Sequence, residues 1–458
     1  MVVKDIFKTN SPARLADLIR EVPFIDVKEE KKQWDSEKHK VITNEDDILP
    51  NKLIKDKNGN IVRERKVNRI STAYQKLIVN RLVAFGFANP IILESEPENE
   101  LQEQVLNSIK SIQHKVKERS FNKKVARDLY RSKQVAELWY FTRNKNNYYG
   151  FESDFKFNVL KLSPWNGDKL RPIFDNYGDL IAFSREYTVK EASYIDIWTD
   201  EQKVRLTSND GTVWKEESTP HNFGKIPIVF GSQEHAEWRD IQRNIERLEM
   251  LLSKHAEIND YNAAPKTFVK GIVSSLPQAG EANPTLQGGE NTDVKVLSWE
   301  AAPESIRLEI ENLIENIHKF SQVPNISFES IRGMGQISGV MLKMLFTDTY
   351  LKIMEKNEIW DEYFSRRYSL LNSMLQSIHP PYQDNGLEIT PVVQPYKIED
   401  EEAYLNLLMS ASGSRSIISR RTAIEKSGLV DDVGAEMERI RDDEEQDRTF
   451  DIFQPTNF

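Results

Sequence analysis

The chain has 458 residues, with 62 basic and 72 acidic side chains and a formal net charge of −10. That balance disfavours a simple high-affinity nucleic-acid binder, which carries a basic footprint. There is no cysteine, so disulfides, thiolate nucleophiles, cysteine-ligated zinc and iron–sulfur clusters are excluded. At roughly 150 residues per domain the length suggests about three domains. The N-terminus, Met1-Val-Val-Lys-Asp-Ile-Phe-Lys8, lacks the apolar core of a signal peptide. No uncharged apolar run approaches the roughly 20 residues that span a bilayer, so a soluble product made in a cytoplasm is expected.

Residues 1–65 are mixed and charged, and their role is not legible. Asn58-Gly59-Asn60 between Ile54 and Ile61 predicts a hairpin turn. Ile70, Tyr74, Leu77, Ile78 and Leu82 predict a helix over 69–86, and a further helix is expected over 97–142. Within it lies a basic stretch: Lys110, Lys115, Lys117, Arg119, Lys123, Lys124, Arg127, Arg131 and Lys133 against Glu118 and Asp128. It reads either as a solvated helix face or as a docking surface for nucleic acid or an acidic partner. From Tyr148 to residue 230, strand-like runs alternate with turn signals such as Asn209-Asp210-Gly211 and predict an antiparallel meander. Val213-Trp214 is read as its last strand, and Trp165, Trp198 and Trp214 as core.

From 232 the period turns helical. Trp238, Ile241, Ile245, Leu248, Leu252 and His255 form a narrow apolar seam of coiled-coil type. Gly and Pro punctuate 263–303 around two strand candidates, Thr267-Phe-Val269 and Val294-Lys-Val-Leu297. Ile306, Ile310, Leu313, Ile317 and Phe320 repeat the seam over 304–322. Residues 323–337 interrupt again, with Pro324, Gly333 and Gly335 in the break. Ser338 can cap a helix that runs without Gly or Pro from Val340 to His379, about 60 Å, and Pro380-Pro381 stops it. The tail, 397–458, holds 8 basic and 15 acidic residues.

No catalytic, metal or cofactor constellation emerges. The only Gly-Lys, Gly224-Lys225, is followed by Ile226-Pro227, so there is no P-loop. The seven histidines form no His-x₃-His pair, and there is no Gly-x-Ser-x-Gly elbow. Gly333-x-Gly335-x-x-x-Gly339 before a helix invites a phosphate-loop reading, but its spacing is wrong for Gly-x-Gly-x-x-Gly. His255 and His318 sit on or beside the seams as packing residues.

The order of parts is informative where single motifs are not. A helix-plus-sheet body leads to a seam helix, a small Pro/Gly-rich module, a returning seam helix, a loop, one very long helix and an acidic helical tail. This order resembles the portal proteins of tailed bacteriophages, the head–tail connectors, in their short siphovirus-like form. Asn68-Arg-Ile-Ser-Thr-Ala-Tyr-Gln-Lys-Leu-Ile-Val-Asn-Arg81, then Phe85-Gly86 and Asn89-Pro90-Ile91, is similar to the family's early wing helix. His221-Asn-Phe-Gly-Lys-Ile-Pro-Ile-Val229 resembles the approach to its first stem helix. Val323-Pro-Asn-Ile326 and Gln336-Ile-Ser-Gly-Val-Met-Leu-Lys343 resemble its tunnel-loop junction, with Met341 where an Ala is usual. Ile418-Ser419, Asp431-Asp432 and Glu436-Met-Glu-Arg-Ile440 are like its C-terminal segment. The likeness covers about 66–445.

The resemblance implies an α+β, mostly helical portal fold assembled as a ring. Its parts would be an N-terminal segment at 1–65, wing at 66–231, stem helices at 232–262 and 304–322, clip at 263–303, tunnel loop at 323–337, long wing helix with return strand at 338–399 and crown at 400–458. It implies a twelve-subunit channel at one capsid vertex of the virion, assembled in the host cytoplasm, through which double-stranded DNA is packaged and ejected. The implied partners are terminase, major capsid and scaffolding proteins and a head-completion or neck adaptor, with no membrane. Asn325, Ile326, Ser327, Phe328, Glu329, Ile331 and Arg332 would face DNA. Lys266, Lys270 and Lys295 would serve docking at the clip. Trp238, Ile241, Ile245, Leu248, Leu252, Ile306, Ile310, Leu313 and Ile317 would pack subunits in the stem. No enzyme activity and no cofactor are expected. The alternatives are an enzyme acting on nucleic acid or nucleotides through Gly333–Gly339, and a generic coiled-coil scaffold.

Overall fold

The computed structural model describes residues 11–56, 58–262, 266–270, 273–275, 287–288, 293–297, 303–325, 344–396, 401–413, 416–430 and 432–452. The chain forms two compact units, Met1–Asn325 with Asp348–Tyr396, and Ile326–Thr347 with Lys397–Phe458.

In the first unit the N-terminal segment is built into the body. Helix α1 (Pro12–Glu21) lays Leu15, Ala16 and Ile19 on Ile195, Ile197, Val204 and Leu206 of a sheet and on Trp214. Short helices α2 (Lys28–Trp34) and α3 (Lys40–Thr43) follow, then a hairpin of β1 (Lys52–Lys55) and β2 (Ile61–Arg65). The hairpin closes as the sequence predicts. The Asp56 carboxylate accepts from the Asn58 and Asn60 amides at 2.8 Å each, and Gly59 takes φ +85°, where a Cβ is disfavoured.

Helix α4 (Tyr74–Gly86) starts five residues later than its periodicity suggests, because 68–72 is extended. The single helix expected over 97–142 is instead α5 (Glu100–Lys115), α6 (Glu118–Ser132) and strand β4 (Gln134–Asn146). Neither break uses Gly or Pro: Lys117 and Lys133 adopt left-handed backbone, φ 54° and 66°. The turn at Lys117 folds the two helices onto one core of Val105, Ile109, Ile112, Val125 and Leu129. That burial outweighs the ~1–2 kcal/mol of a left-handed lysine.

The meander expected over 148–230 is present only over 169–220, as a five-stranded antiparallel sheet of β6 (Lys169–Phe174), β7 (Leu180–Val189), β8 (Ala192–Trp198), β9 (Gln202–Ser208) and β10 (Lys215–Pro220). A second sheet, order β11-β4-β5, joins β5 (Ser153–Leu162) and β11 (Ile228–Ser232) to β4. Val213 and Trp214 precede β10 rather than forming a strand. Trp198 and Trp214 are buried; Trp165 is half-buried, under the Arg131 guanidinium at 4.1 Å.

Helix α7 is Gln242–Asn262, so the helical period begins ten residues after 232, and Trp238 is buried ahead of it. Strands β12 (Lys266–Lys270) and β15 (Asp293–Leu297) pair antiparallel, and β13 (Val273–Ser275) pairs with β14 (Gln287–Gly288). Helix α8 (Pro303–Ser321) returns. Helix α9 (Thr347–Ile378) has 32 residues, about 48 Å, and a short 3₁₀ turn over Pro380–Tyr382 ends it. The expected start at Ser338–Val340 lies outside the described residues. Strand β16 (Thr390–Val392) pairs with β3 (Ile92–Glu94).

Helix α9 is the central post of the unit. Trp360, Phe364, Leu371, Met374 and Leu375 are buried against α4, α5, α6 and β4. Arg367, buried from end to end, donates through Nε and Nη2 to Glu137 and through Nη1 to Glu118 Oε1 at 2.7 Å and Asn122 Oδ1 at 2.8 Å. The Tyr368 hydroxyl donates to the same Glu118 oxygen at 2.6 Å.

The second unit contains α10 (Glu401–Ala411), α11 (Arg420–Ser427) and α12 (Val433–Ile452). Ser419 caps α11 by accepting from Thr422 N at 3.1 Å. The architecture is mixed α+β. Among the described residues no helix is long and apolar enough to cross a membrane.

Candidate functional site

Helices α7 and α8 run antiparallel side by side, and Arg247 bridges them to Glu309 at 2.7 Å. Most of their apolar seam faces inward, while Phe320 at its end is exposed. Trp238, Ile241, Ile245, Leu248 and Ile317 are buried in the chain's own core, and Leu252, Ile310 and Leu313 are half-buried against it. Ile306 is half-buried. Five of the residues expected to pack subunits in the stem are thus buried within their own chain. The long helix α9 and the helices before it supply the core that a bare hairpin would lack.

On α7 a second, polar stripe lies at Glu249, Ser253 and Glu257, spaced i, i+4, i+8 and buried. The extended backbone of 68–72 is hydrogen-bonded along it. Asn68 N donates to Glu257 Oε1 at 2.6 Å, Ile70 N to Ser253 Oγ at 2.9 Å and Thr72 N to Glu249 Oε1 at 2.7 Å. The registers match because two strand residues advance about 6.6 Å and four helical residues about 6 Å. This ladder is why 69–73 is not helical. His39 Nδ1 meets Glu249 Oε1 at 2.8 Å and Nε2 meets the Gln33 carbonyl at 2.7 Å. Both ring nitrogens face acceptors, so the imidazolium fits the pocket. Burial disfavours the charged ring, but the hydrogen bond and charge of Glu249, with the Gln33 carbonyl, outweigh it and raise the His39 pKa above 6.5. Sequence reading missed His39 and the stripe. The available signal was three polar residues four apart that no apolar seam explains.

The exit from α8 is pinned with equal care. Helix C-termini leave carbonyls without intrahelical partners; here the carbonyl of the last helical residue, Ser321, and the three that follow it are taken by side chains. Lys352 Nζ donates to Ser321 O at 3.1 Å, Thr349 Oγ1 to Gln322 O at 2.8 Å, His318 Nδ1 to Val323 O at 2.9 Å and Arg81 Nη1 to Pro324 O at 2.6 Å. Burial lowers the His318 pKa, which suits a neutral ring with a single N–H aimed at Val323. Whatever 326–343 does, its root is held by α4, α8 and α9. Of the residues expected to face DNA, Asn325 is exposed at this root. Ile326, Ser327, Phe328, Glu329, Ile331 and Arg332 lie outside the described residues, as does the Gly333–Gly339 loop.

In the β12–β15 ladder, Lys266 pairs with Leu297, Lys295 with Phe268 and Lys270 with Asp293. The three lysines thus occupy alternate pairs of one ladder, as the two strand candidates suggest. The basic stretch splits. Lys115 lies over Tyr148 at 4.0 Å, Arg131 pairs with Asp128 at 2.7 Å and Lys133 with Glu30 at 2.6 Å. Lys110, Lys117 and Lys123 make no ion pair among the described residues; with His114 and Arg119 they line an open cleft of about 670 Å³ between α5 and α6.

The first unit is thus a mixed α+β body carrying a helical hairpin, a small β ladder and a pinned loop root before a long helix. The profile described as phage portal protein, SPP1 Gp6-like, matches residues 27–449. The chain belongs to this phage portal protein family. No curated protein matches it. Solved structures similar to it include the neck of an empty gene transfer agent (GTA) particle, 10% identical over 78% of this chain and 89% of that one, with a TM-score of 0.43. The virion of a native GTA particle is 11% identical over the same shares, with a TM-score of 0.42.

Proposed function

We propose that the chain is the subunit of a closed, twelve-fold portal ring at one capsid vertex of a virion, through which double-stranded DNA is packaged and later ejected. The observation that carries this reading is the α7–ladder–α8 hairpin with its pinned exit, set in a chain that matches the portal family over 27–449. In this reading 66–231 and 338–399 are wing, 232–262 and 304–322 stem, 263–303 clip, 323–337 tunnel loop and 400–458 crown.

The chemistry suits a conduit. Residues 237–262 hold 4 basic and 6 acidic side chains, and 304–322 hold 2 and 4. A net negative wall avoids the tight phosphate pairing that would arrest a sliding duplex. Terminase supplies the motor, and Lys266, Lys270 and Lys295 offer it, and then the neck adaptor, a cationic docking edge. Major capsid and scaffolding proteins hold the ring at its vertex. The tunnel loop, with Ile326, Phe328 and Ile331, touches DNA weakly from a rigid root.

Native mass spectrometry and negative-stain imaging test the ring: a closed assembly of about twelve copies is expected, and monomer or dimer across salt and concentration overturns it. Replacing Ile326, Phe328 and Ile331 by Ser is expected to leave assembly intact and impair DNA packaging or retention. Normal packaging by that variant removes the loop from translocation.

A further inference from the structure

The β1–β2 hairpin is the least accountable part of the first unit. Every described residue from Lys52 to Lys66 is exposed, on both faces of the ribbon. Leu53, Ile54, Ile61 and Val62 are 51%, 46%, 59% and 68% exposed. An isolated two-stranded hairpin is marginal in water. This one also sets Lys52 directly opposite Arg65, a like-charge pair that destabilises a free ladder. It is nonetheless held at its base, where Lys52 Nζ reaches Glu257 Oε2 on α7 at 2.8 Å.

The register decides what it offers. Lys52 pairs with Arg65, Leu53 with Glu64 and Ile54 with Arg63. Alternation along a strand then places Lys52, Ile54, Arg63 and Arg65 on one face, three cations around an isoleucine. Arg63 and Arg65 make no ion pair among the described residues.

A matching surface exists on the other helix of the pair. On α8, Glu304, Leu308, Glu311 and Glu315 are exposed at spacings of four, three and four, one helical stripe. That is three carboxylates around a leucine that is 56% exposed. Arg307 on the same helix pairs with Glu304 and Glu311, and Glu315 makes no ion pair among the described residues. The stripe spans about 16 Å and the longer hairpin strand about 14 Å, so the two surfaces agree in length, charge and apolar centre.

We propose that the hairpin is a subunit clasp. Rooted on α7 of one copy through Lys52, the hairpin docks its Ile54, Arg63 and Arg65 on the Glu304/Leu308/Glu311/Glu315 face of α8 in the next copy. This rests on the ring reading above. A ring repeats a head-to-tail contact in which one flank of each copy meets the other flank of its neighbour, and the two faces sit on different members of the helical pair.

The absence of native cysteine makes the test clean. The double variant Ile54→Cys with Leu308→Cys is expected, on mild oxidation, to give a ladder of covalent multimers in a denaturing gel, while each single variant stays monomeric. Separately, Arg63→Glu with Arg65→Glu is expected to raise the subunit concentration for half-assembly roughly fivefold at low salt. Adding Glu311→Lys and Glu315→Lys is expected to restore it. Native mass spectrometry of the same samples reports the ring independently. Rings that stay intact with no ladder, and with unchanged half-assembly on charge reversal, overturn the clasp and leave the ring standing. Charge reversal that abolishes binding to a short DNA duplex while half-assembly is unchanged also overturns it, and assigns the hairpin to nucleic acid. An unmodified chain that never forms a ring overturns the ring and the clasp together.

Discussion

Arg367 and His39 are both cations buried against carboxylates, and they secure different parts of the first unit. Arg367 ties α9 to β4 through Glu137 and to α6 through Glu118. His39 ties the N-terminal segment to α7 through Glu249. The guanidinium cannot lose its proton in the accessible range and offers five fixed donors, enough to satisfy two carboxylates at once. The imidazolium offers two donors and can lose its proton as pH rises. One junction is therefore permanent, while the other is conditional on pH. The comparison teaches that the body and the attachment of its N-terminal arm need not share one stability.

The most severe challenge to that comparison is Arg367→Met. It strands Glu118 and Glu137 in a dry interior, and the expected loss is about 3–5 kcal/mol, read as a lower denaturation midpoint or failure to fold. A loss near zero would mean that water or another cation reaches the cluster.

The His39 junction is expected to show a pH dependence that the Arg367 junction lacks. The folded pKa lies above the 6.5 of the free side chain. Its stabilisation is then complete below about 6.5 and falls away as pH rises through the raised folded value. Hydrogen-exchange protection over 39–72 is expected to decline across that window. His39→Gln is expected to flatten the profile and cost about 1.5–3 kcal/mol at low pH. A profile unchanged by the substitution places the titration elsewhere.

Gly231→Ala perturbs α9 without touching charge. A Cβ there would stand 2.9 Å from Tyr363 Cδ2, so β11 or the buried ring must shift. The expected cost is about 1–2 kcal/mol, independent of pH, measured beside His39→Gln as an uncharged control. The smallest effect is expected for Lys52→Ala. Its ion pair with Glu257 is half-exposed on the lysine side and is worth less than about 1 kcal/mol within one chain. A much larger loss in the assembled protein than in the isolated subunit would count for the clasp.

Local pattern alone carried a good part of the fold. Alternation and turn residues located the meander and the 58–60 turn, the 3–4 spacing located both helices of the hairpin, and Pro380-Pro381 marked the end of α9. The order of these parts pointed to the portal family, because that order depends only on which segments are helical, extended or broken.

What local pattern could not reach was set by partners distant in the chain. Lys117 and Lys133 adopt left-handed backbone because folding α5, α6 and β4 onto a shared core stabilises more than the strained residues cost, and no local residue type announces that. Residues 68–72 are extended because Glu249, Ser253 and Glu257, some 180 residues away, take their amides. The seam of α7 and α8 faces inward because α9 and the helices before it are there to receive it. Periodicity specifies that a face is apolar; which surface covers it, and which carboxylate meets His39 or Arg367, depends on three-dimensional proximity that a one-dimensional spacing does not encode.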